Sequence, residues 1–177
     1  MFLGTPRPHK GVGDLLAAFK IIDNPDLNLA IIGADNHQEF LERIDRSIRH
    51  RVVVLPKMPF DKLPELLSAA DIIAIPQRRT SDSVGQIPAR LFDAMSMAKP
   101  IIATRVSDIP EVLDGCGYLV DPNQPAQLAE AIEYILNHKQ LRHYQLLLSS
   151  RASDRIFTAI MMLDFYVYTL LIVGFSY

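Results

Sequence analysis

The chain has 177 residues, 49% hydrophobic and 21% charged, enough for one domain with a full core and ordinary for a folded protein. Its net charge of −2 gives no electrostatic case for a nucleic-acid partner. The single cysteine, Cys116, excludes disulfides and cysteine-based zinc sites within the chain.

Residues 2–3 read as a strand fragment running into the turn Gly4-Thr5-Pro6-Arg7-Pro8-His9-Lys10-Gly11. A helix is predicted over 12–22, with Val12, Leu15, Leu16 and Phe19 on one face. A lysine closing a strand-to-helix turn stands beside free backbone N–H groups and the positive end of a helix dipole, which suits an anion such as phosphate. Taken alone, the turn is more simply a solvated lysine on an ordinary loop. A strand over 29–33 follows, then a helix over 38–49 with Phe40, Leu41, Ile44 and Ile48 in one stripe. Strands over 52–55, 72–75, 101–104 and 118–120 alternate with helices over 61–70, 88–98 and 124–137.

Continuous Ile/Val/Leu strands alternating with amphipathic helices predict an α/β fold, a doubly wound parallel sheet with helices on both faces. Such sheets bind ligands outside the carboxyl ends of their strands, which selects the loops 4–11, 33–37, 76–88 and 104–110. Cys116, between two glycines before an apolar strand, reads as a buried structural thiol rather than a nucleophile. The five histidines show no metal-ligand spacing; His138 and His143 suit helix-surface positions, and no metal site is expected. No basic region leads into an apolar one after Met1, so no signal peptide is expected and a cytoplasmic setting is the default.

The stretch from Ser83 to Thr104 is a loop feeding a helix that ends in Ala98-Lys99-Pro100 before a buried strand. Backbone N–H groups between Gly85 and Ala89 are expected to be unpaired at the helix start, open to a diphosphate. Asp93, about a turn and a half further in, is placed to reach a hydroxyl-bearing ligand; Phe92, Met95 and Met97 read as core. After about residue 148 the composition changes. Residues 149–155 are polar, and 156–177 are almost wholly apolar with Asp164 the only charge. Three readings of this tail compete: a membrane anchor, at odds with a mid-segment carboxylate; a helix for a partner or another domain; or residues not selected for this fold. The expected division is therefore a domain over 1–148 and an atypical hydrophobic tail over 149–177.

These segments, taken in order, resemble the donor-binding, carboxyl-terminal half of GT-B glycosyltransferases of the retaining family 4. Gly4 to Gly11 is similar to that family's Gly-Arg-x-x-x-x-Lys-Gly turn, and Leu29-Ala30-Ile31-Ile32-Gly33 to its Leu-x-Ile-x-Gly strand. Leu63-Pro64 and Leu66 through Pro76, Leu91 through Thr104, and Ile109-Pro110-Glu111-Val112 with Gly117-Tyr118-Leu119-Val120 match further landmarks. Flavodoxin-like and receiver domains share the alternation but lack this series. The resemblance implies transfer of a sugar from a nucleoside-diphosphate sugar, with no cofactor beyond that substrate. It assigns Lys10, with Arg7, to the donor diphosphate as catalytic groups. Thr5, Lys10, Gly85, Gln86, Ile87, Pro88, Ala89 and Asp93 become the donor-binding set, Asp93 holding the ribose.

The chain departs from the family pattern in four places. Thr5 stands where the family has arginine, with Arg7 two residues on as a substitute. Gly85 stands where the first acid of Glu-x₇-Glu belongs, with Asp82 as a stand-in; Asp93 replaces the second, and Ala98 replaces glycine before Lys99. The resemblance also implies an amino-terminal acceptor domain that these residues do not supply, so the chain alone is expected to be inactive or weakly active. The alternative reading is a non-catalytic nucleotide-binding module, or a membrane-tethered interaction module held through the tail.

Overall fold

The computed structural model describes residues 1–138. The expected boundary at 148, the tail 149–177 and His143 lie outside the described residues. Six short strands form the frame: β1 (Phe2–Leu3), β2 (Leu29–Ile32), β3 (Val52–Leu55), β4 (Ile73–Ile75), β5 (Ile101–Thr104) and β6 (Tyr118–Val120). They pair in two parallel groups, β1-β2-β3 and β4-β5-β6. Phe2 sits opposite Ile31 and Leu29 opposite Val52 in the first, and Ile73 opposite Ile101 and Ile102 opposite Tyr118 in the second. Met1 joins the groups: its nitrogen donates to the Ile72 carbonyl at 2.7 Å, and its carbonyl accepts the Ala74 N–H at 2.9 Å. The strand order is therefore 3-2-1-4-5-6, with the direction of winding reversing between β1 and β4.

Alternation along each strand feeds two cores. Phe2, Ile31, Ala74 and Ile102 join α1 (Val12–Ile21) and α7 (Pro125–Asn137) on one face through Leu15, Phe19, Leu128, Ile132 and Ile135. Leu3, Ile32, Ile73, Ile75, Ile101 and Ala103 meet α4 (Leu63–Ser68), α5 (Ala89–Ser96) and α6 (Ile109–Val112) on the other, around Leu67, Leu91, Met95 and Leu113. Strands covered on both sides need apolar residues at every position, which is why their sequences run continuously hydrophobic. The expected doubly wound α/β fold is present.

Local differences have local causes. The helix predicted over 38–49 is two, α2 (His37–Glu42) and α3 (Arg46–Arg49). Asp45 breaks it: its carboxylate accepts the Ser47 N–H at 2.9 Å, an N-cap that restarts the helix. The helix predicted over 61–70 opens as a 3₁₀ turn, Phe60–Lys62, and Pro8–Lys10 forms another. The strand predicted to reach residue 33 stops at Ile32, because Gly33 turns at φ +114° against Gly4. Among the described residues no helix is long and apolar enough to cross a membrane.

Candidate functional site

The carboxyl ends of β1 and β4 flank the reversal point, so the loops 4–11 and 76–88 leave the sheet side by side. In the first loop the chain tightens at once: the Arg7 N–H bonds Thr5 O at 2.8 Å, and Lys10 N–H bonds Arg7 O at 2.9 Å. Gly11 then takes φ +70° and opens α1. Lys10 is half-buried, and its ammonium is held below the usual lysine range by burial first and by repulsion from Arg7 second. Among the described residues no carboxylate lies within ion-pair distance of Lys10 or Arg7. Two neighbouring cations with no counter-charge among the described residues attract anions, and partial burial of one of them strengthens the attraction.

The second loop is closed on itself. Ser83 is buried, its Oγ accepting the Thr80 N–H at 2.8 Å and donating to Arg78 O at 2.5 Å. The Gln77 side chain donates to Ser83 O at 3.3 Å, and Thr104 Oγ1 donates to Gln77 O at 2.5 Å. Ser107, in the loop after β5, donates from Oγ to Ser83 O at 2.7 Å and accepts the Gly85 N–H at 3.0 Å. The Gln86 N–H goes to Ser83 O at 3.2 Å. This corrects the expectation of open amides at Gly85 and Gln86: the first is committed to the loop after β5 and the second within its own loop. Pro88 carries no N–H, no side chain caps the start of α5, and the Leu91 N–H bonds Pro88 O at 2.9 Å, so among the described residues the open donors here are the N–H groups of Ile87, Ala89 and Arg90.

Asp93 lies on α5, one turn in, and one of its two carboxylate oxygens is engaged: Arg90 Nη1 donates to Oδ2 at 2.7 Å. Asp82, considered as a stand-in acid, is 73% exposed and faces His9 Nδ1 at 3.8 Å. A pocket of about 200 Å³ opens at the carboxyl ends of β1 and β2. Gly4, Thr5, Gly33, Lys57, Phe60 and Arg90 line it. Of the predicted site residues only Thr5 borders this pocket; Arg7, Lys10, Asp93 and the residues from Gly85 to Ala89 do not line it. Arg90 and the segment from Lys57 to Phe60 were missed. The signal for that segment was available, since it too leaves a strand at its carboxyl end. Its sequence, Pro56-Lys57-Met58-Pro59-Phe60, shares the proline of most of the other loops but not their Gly, Ser, Thr or Asp. Among the described residues no group of three or more His, Cys, Asp or Glu side chains is arranged to hold a metal ion.

The family model described as Glycosyl transferases group 1 matches residues 1–138. An uncharacterized glycosyltransferase of Methanocaldococcus jannaschii is 31% identical over 146 residues, spanning 80% of this chain and 39% of that protein. A D-inositol 3-phosphate glycosyltransferase of Corynebacterium diphtheriae is 31% identical over 153 residues, 80% of this chain and 35% of its own length. The chain thus spans well under half of these curated relatives. Among solved structures, the carboxyl-terminal domain of a group 1 glycosyl transferase, LpcC, from Francisella tularensis superposes with TM-score 0.71 at 20% identity, covering 88% of this chain and 84% of that one. Anabaena HepE in complex with UDP superposes with TM-score 0.79 at 19% identity, covering 96% of this chain and 48% of that one.

Proposed function

The chain belongs to the group 1 glycosyl transferases, and from that premise we propose that it is the nucleotide-sugar-binding half of a retaining glycosyltransferase, with residues 1–148 as the donor domain. The observation that carries this reading is Lys10, half-buried beside Arg7 at the reversal point of the sheet and, among the described residues, without a carboxylate partner. A nucleoside diphosphate supplies the missing counter-charge. Lys10 and Arg7 take its phosphate oxygens, and the open first-turn amides of α5 add dipolar attraction. As the bond between sugar and diphosphate lengthens, negative charge accumulates on the leaving oxygens and positive charge on the sugar ring. Groups already fixed around the phosphates stabilise that separation without reorganising. HepE, one of the similar folds, has been captured with UDP and with UDP-glucose, which supports a donor of this class here.

In this reading an acceptor-binding half, supplied from outside residues 1–138, closes over the donor, and transfer requires both. A cytoplasmic location, peripheral to a membrane through residues 149–177, accompanies it. A second reading, nucleotide binding without turnover, is favoured by one observation: Gly85 stands where the resemblance expects the first acid, and Arg90 holds one oxygen of Asp93.

The test is thermal stabilisation of the full chain by UDP, GDP, ADP and their sugar conjugates. A ligand at about 100 times its Kd adds roughly 2.7 kcal/mol to stability. One diphosphate is expected to raise Tm, with Lys10→Ala losing the shift. No shift with any of them, on a folded chain, rejects an independent donor site. Release of free sugar or transfer on addition of an acceptor-binding half separates the enzyme reading from the binding-only one.

A further inference from the structure

Asp14 and Arg78 play no part in the donor reading, yet they form a two-point ion pair across the reversal point of the sheet. Arg78 Nε donates to Asp14 Oδ2 at 2.7 Å and Nη2 to Oδ1 at 2.6 Å. Asp14 is only 12% exposed in its side chain, in the first turn of α1 directly behind Lys10 and Gly11. Arg78 is the third residue of the loop 76–88, and its own N–H bonds His9 O at 2.9 Å.

After Gly4, whose N–H bonds Ile32 O at 2.8 Å, the hydrogen bonds within the Lys10 turn are local: Arg7 to Thr5, Lys10 to Arg7 and Gly11 to Pro8. Across the gap there is the Arg78–His9 backbone bond, the Gly11–Pro76 packing and the long His9–Asp82 contact at 3.8 Å. A bidentate guanidinium–carboxylate pair fixes direction as well as distance, which a single backbone bond does not. The pair is half-buried, Asp14 at 12% and Arg78 at 38% side-chain exposure, so removing Arg78 leaves a largely buried carboxylate without its partner.

We infer that Asp14 and Arg78 are positioning residues, locking the turn 4–11 and the loop 76–88 at one separation so that Lys10 and the start of α5 address the same anion. The mechanical half of this inference stands on the geometry alone; its consequence for ligand affinity rests on the donor-site reading.

The experiment has two arms on the full chain. In the first, hydrogen exchange is followed in Arg78→Met and Asp14→Asn. Amides in 4–11 and 77–86 are expected to lose protection together, while those of β2, β5 and α7 keep theirs. Unchanged protection of 4–11 in Arg78→Met overturns the inference. In the second arm, Kd is measured for whichever of UDP, GDP and ADP binds the wild type, at a temperature where every variant is folded. Each single variant is expected to weaken binding about tenfold, the double variant no further, and Arg78→Lys to recover part of the loss. Additive losses, or no recovery with lysine, overturn the positioning role. Absence of binding by the wild type removes the donor reading, and the exchange arm then decides the locking by itself.

Discussion

Gly11 backs directly onto Pro76: a Cβ at position 11 would lie 1.7 Å from the Pro76 carbonyl oxygen. The loops after β1 and β4 therefore meet backbone to backbone, and only glycine permits it. Gly11→Ala also places a side chain at φ +70°. The substitution is expected to cost at least about 2 kcal/mol, a fall of roughly 4–8 °C in Tm. Calorimetry checks this, and a loss within about half a kcal/mol would show that the two loops separate easily.

The charge on Lys10 sets a pH dependence. Burial, then Arg7, holds its pKa below the ordinary 10.5, so the unfolded chain binds this proton more tightly than the folded one. The unliganded protein thus gains stability as pH rises from the lowered value toward 10.5. A bound diphosphate reverses the preference, because it favours the ammonium. Diphosphate affinity is expected to be highest below the lowered pKa and to fall as pH climbs through it. Titration calorimetry from about pH 7 to pH 10 reads this, with Lys10→Arg giving a flat profile. Arg7→Gln shifts the fall to higher pH.

Ala98 ends α5 in a left-handed conformation, φ 49°. Its N–H bonds Met95 O at 2.9 Å and the Lys99 N–H bonds Ala94 O at 3.0 Å, the paired closure that helices usually make with glycine. Ala98→Gly is expected to stabilise the chain by about 1 kcal/mol and raise Tm by roughly 2–4 °C. The position lies on the far end of α5 from its open amides, so nucleotide affinity should not change. Thermal melts with and without nucleotide test both statements.

Ser107 is also left-handed, φ 52°, and its hydroxyl spans two loops through Ser83 O and the Gly85 N–H. Ser107→Ala removes both bonds but keeps the backbone strain, an expected loss of about 1–2 kcal/mol. Ser107→Gly removes the same bonds and relieves the strain, so it should be less destabilised by about 1 kcal/mol. Both variants should make the loop 76–88 more susceptible to proteolysis, which limited digestion measures. Equal stability of the two would mean that the strain is absent.

The sequence determined the sheet and its coverings, because alternation of apolar strands with one-sided helices has few other ways to bury its surface. The runs at 52–55 and 101–104 read directly as strands, the second buried throughout and the first with Val53 exposed at the sheet edge, and Leu15, Phe19, Leu128 and Ile132 read as covering helix faces. It also determined where to look, since Lys10 ends a strand-to-helix turn on the ligand side of such a sheet. What it left open depends on contacts between residues far apart in the chain. Strand order was decided by Met1 lying between Ile72 and Ala74, which puts Lys10 beside a loop more than sixty residues away. Whether an amide is free was decided the same way. The Gly85 N–H is taken by Ser107 in another loop, and a local pattern shows that a group exists without showing what it already bonds. The Arg90–Asp93 pair, three residues apart on α5, is by contrast a local one. Local propensity therefore fixed the elements, and long-range hydrogen bonding fixed which of their groups remain for a ligand.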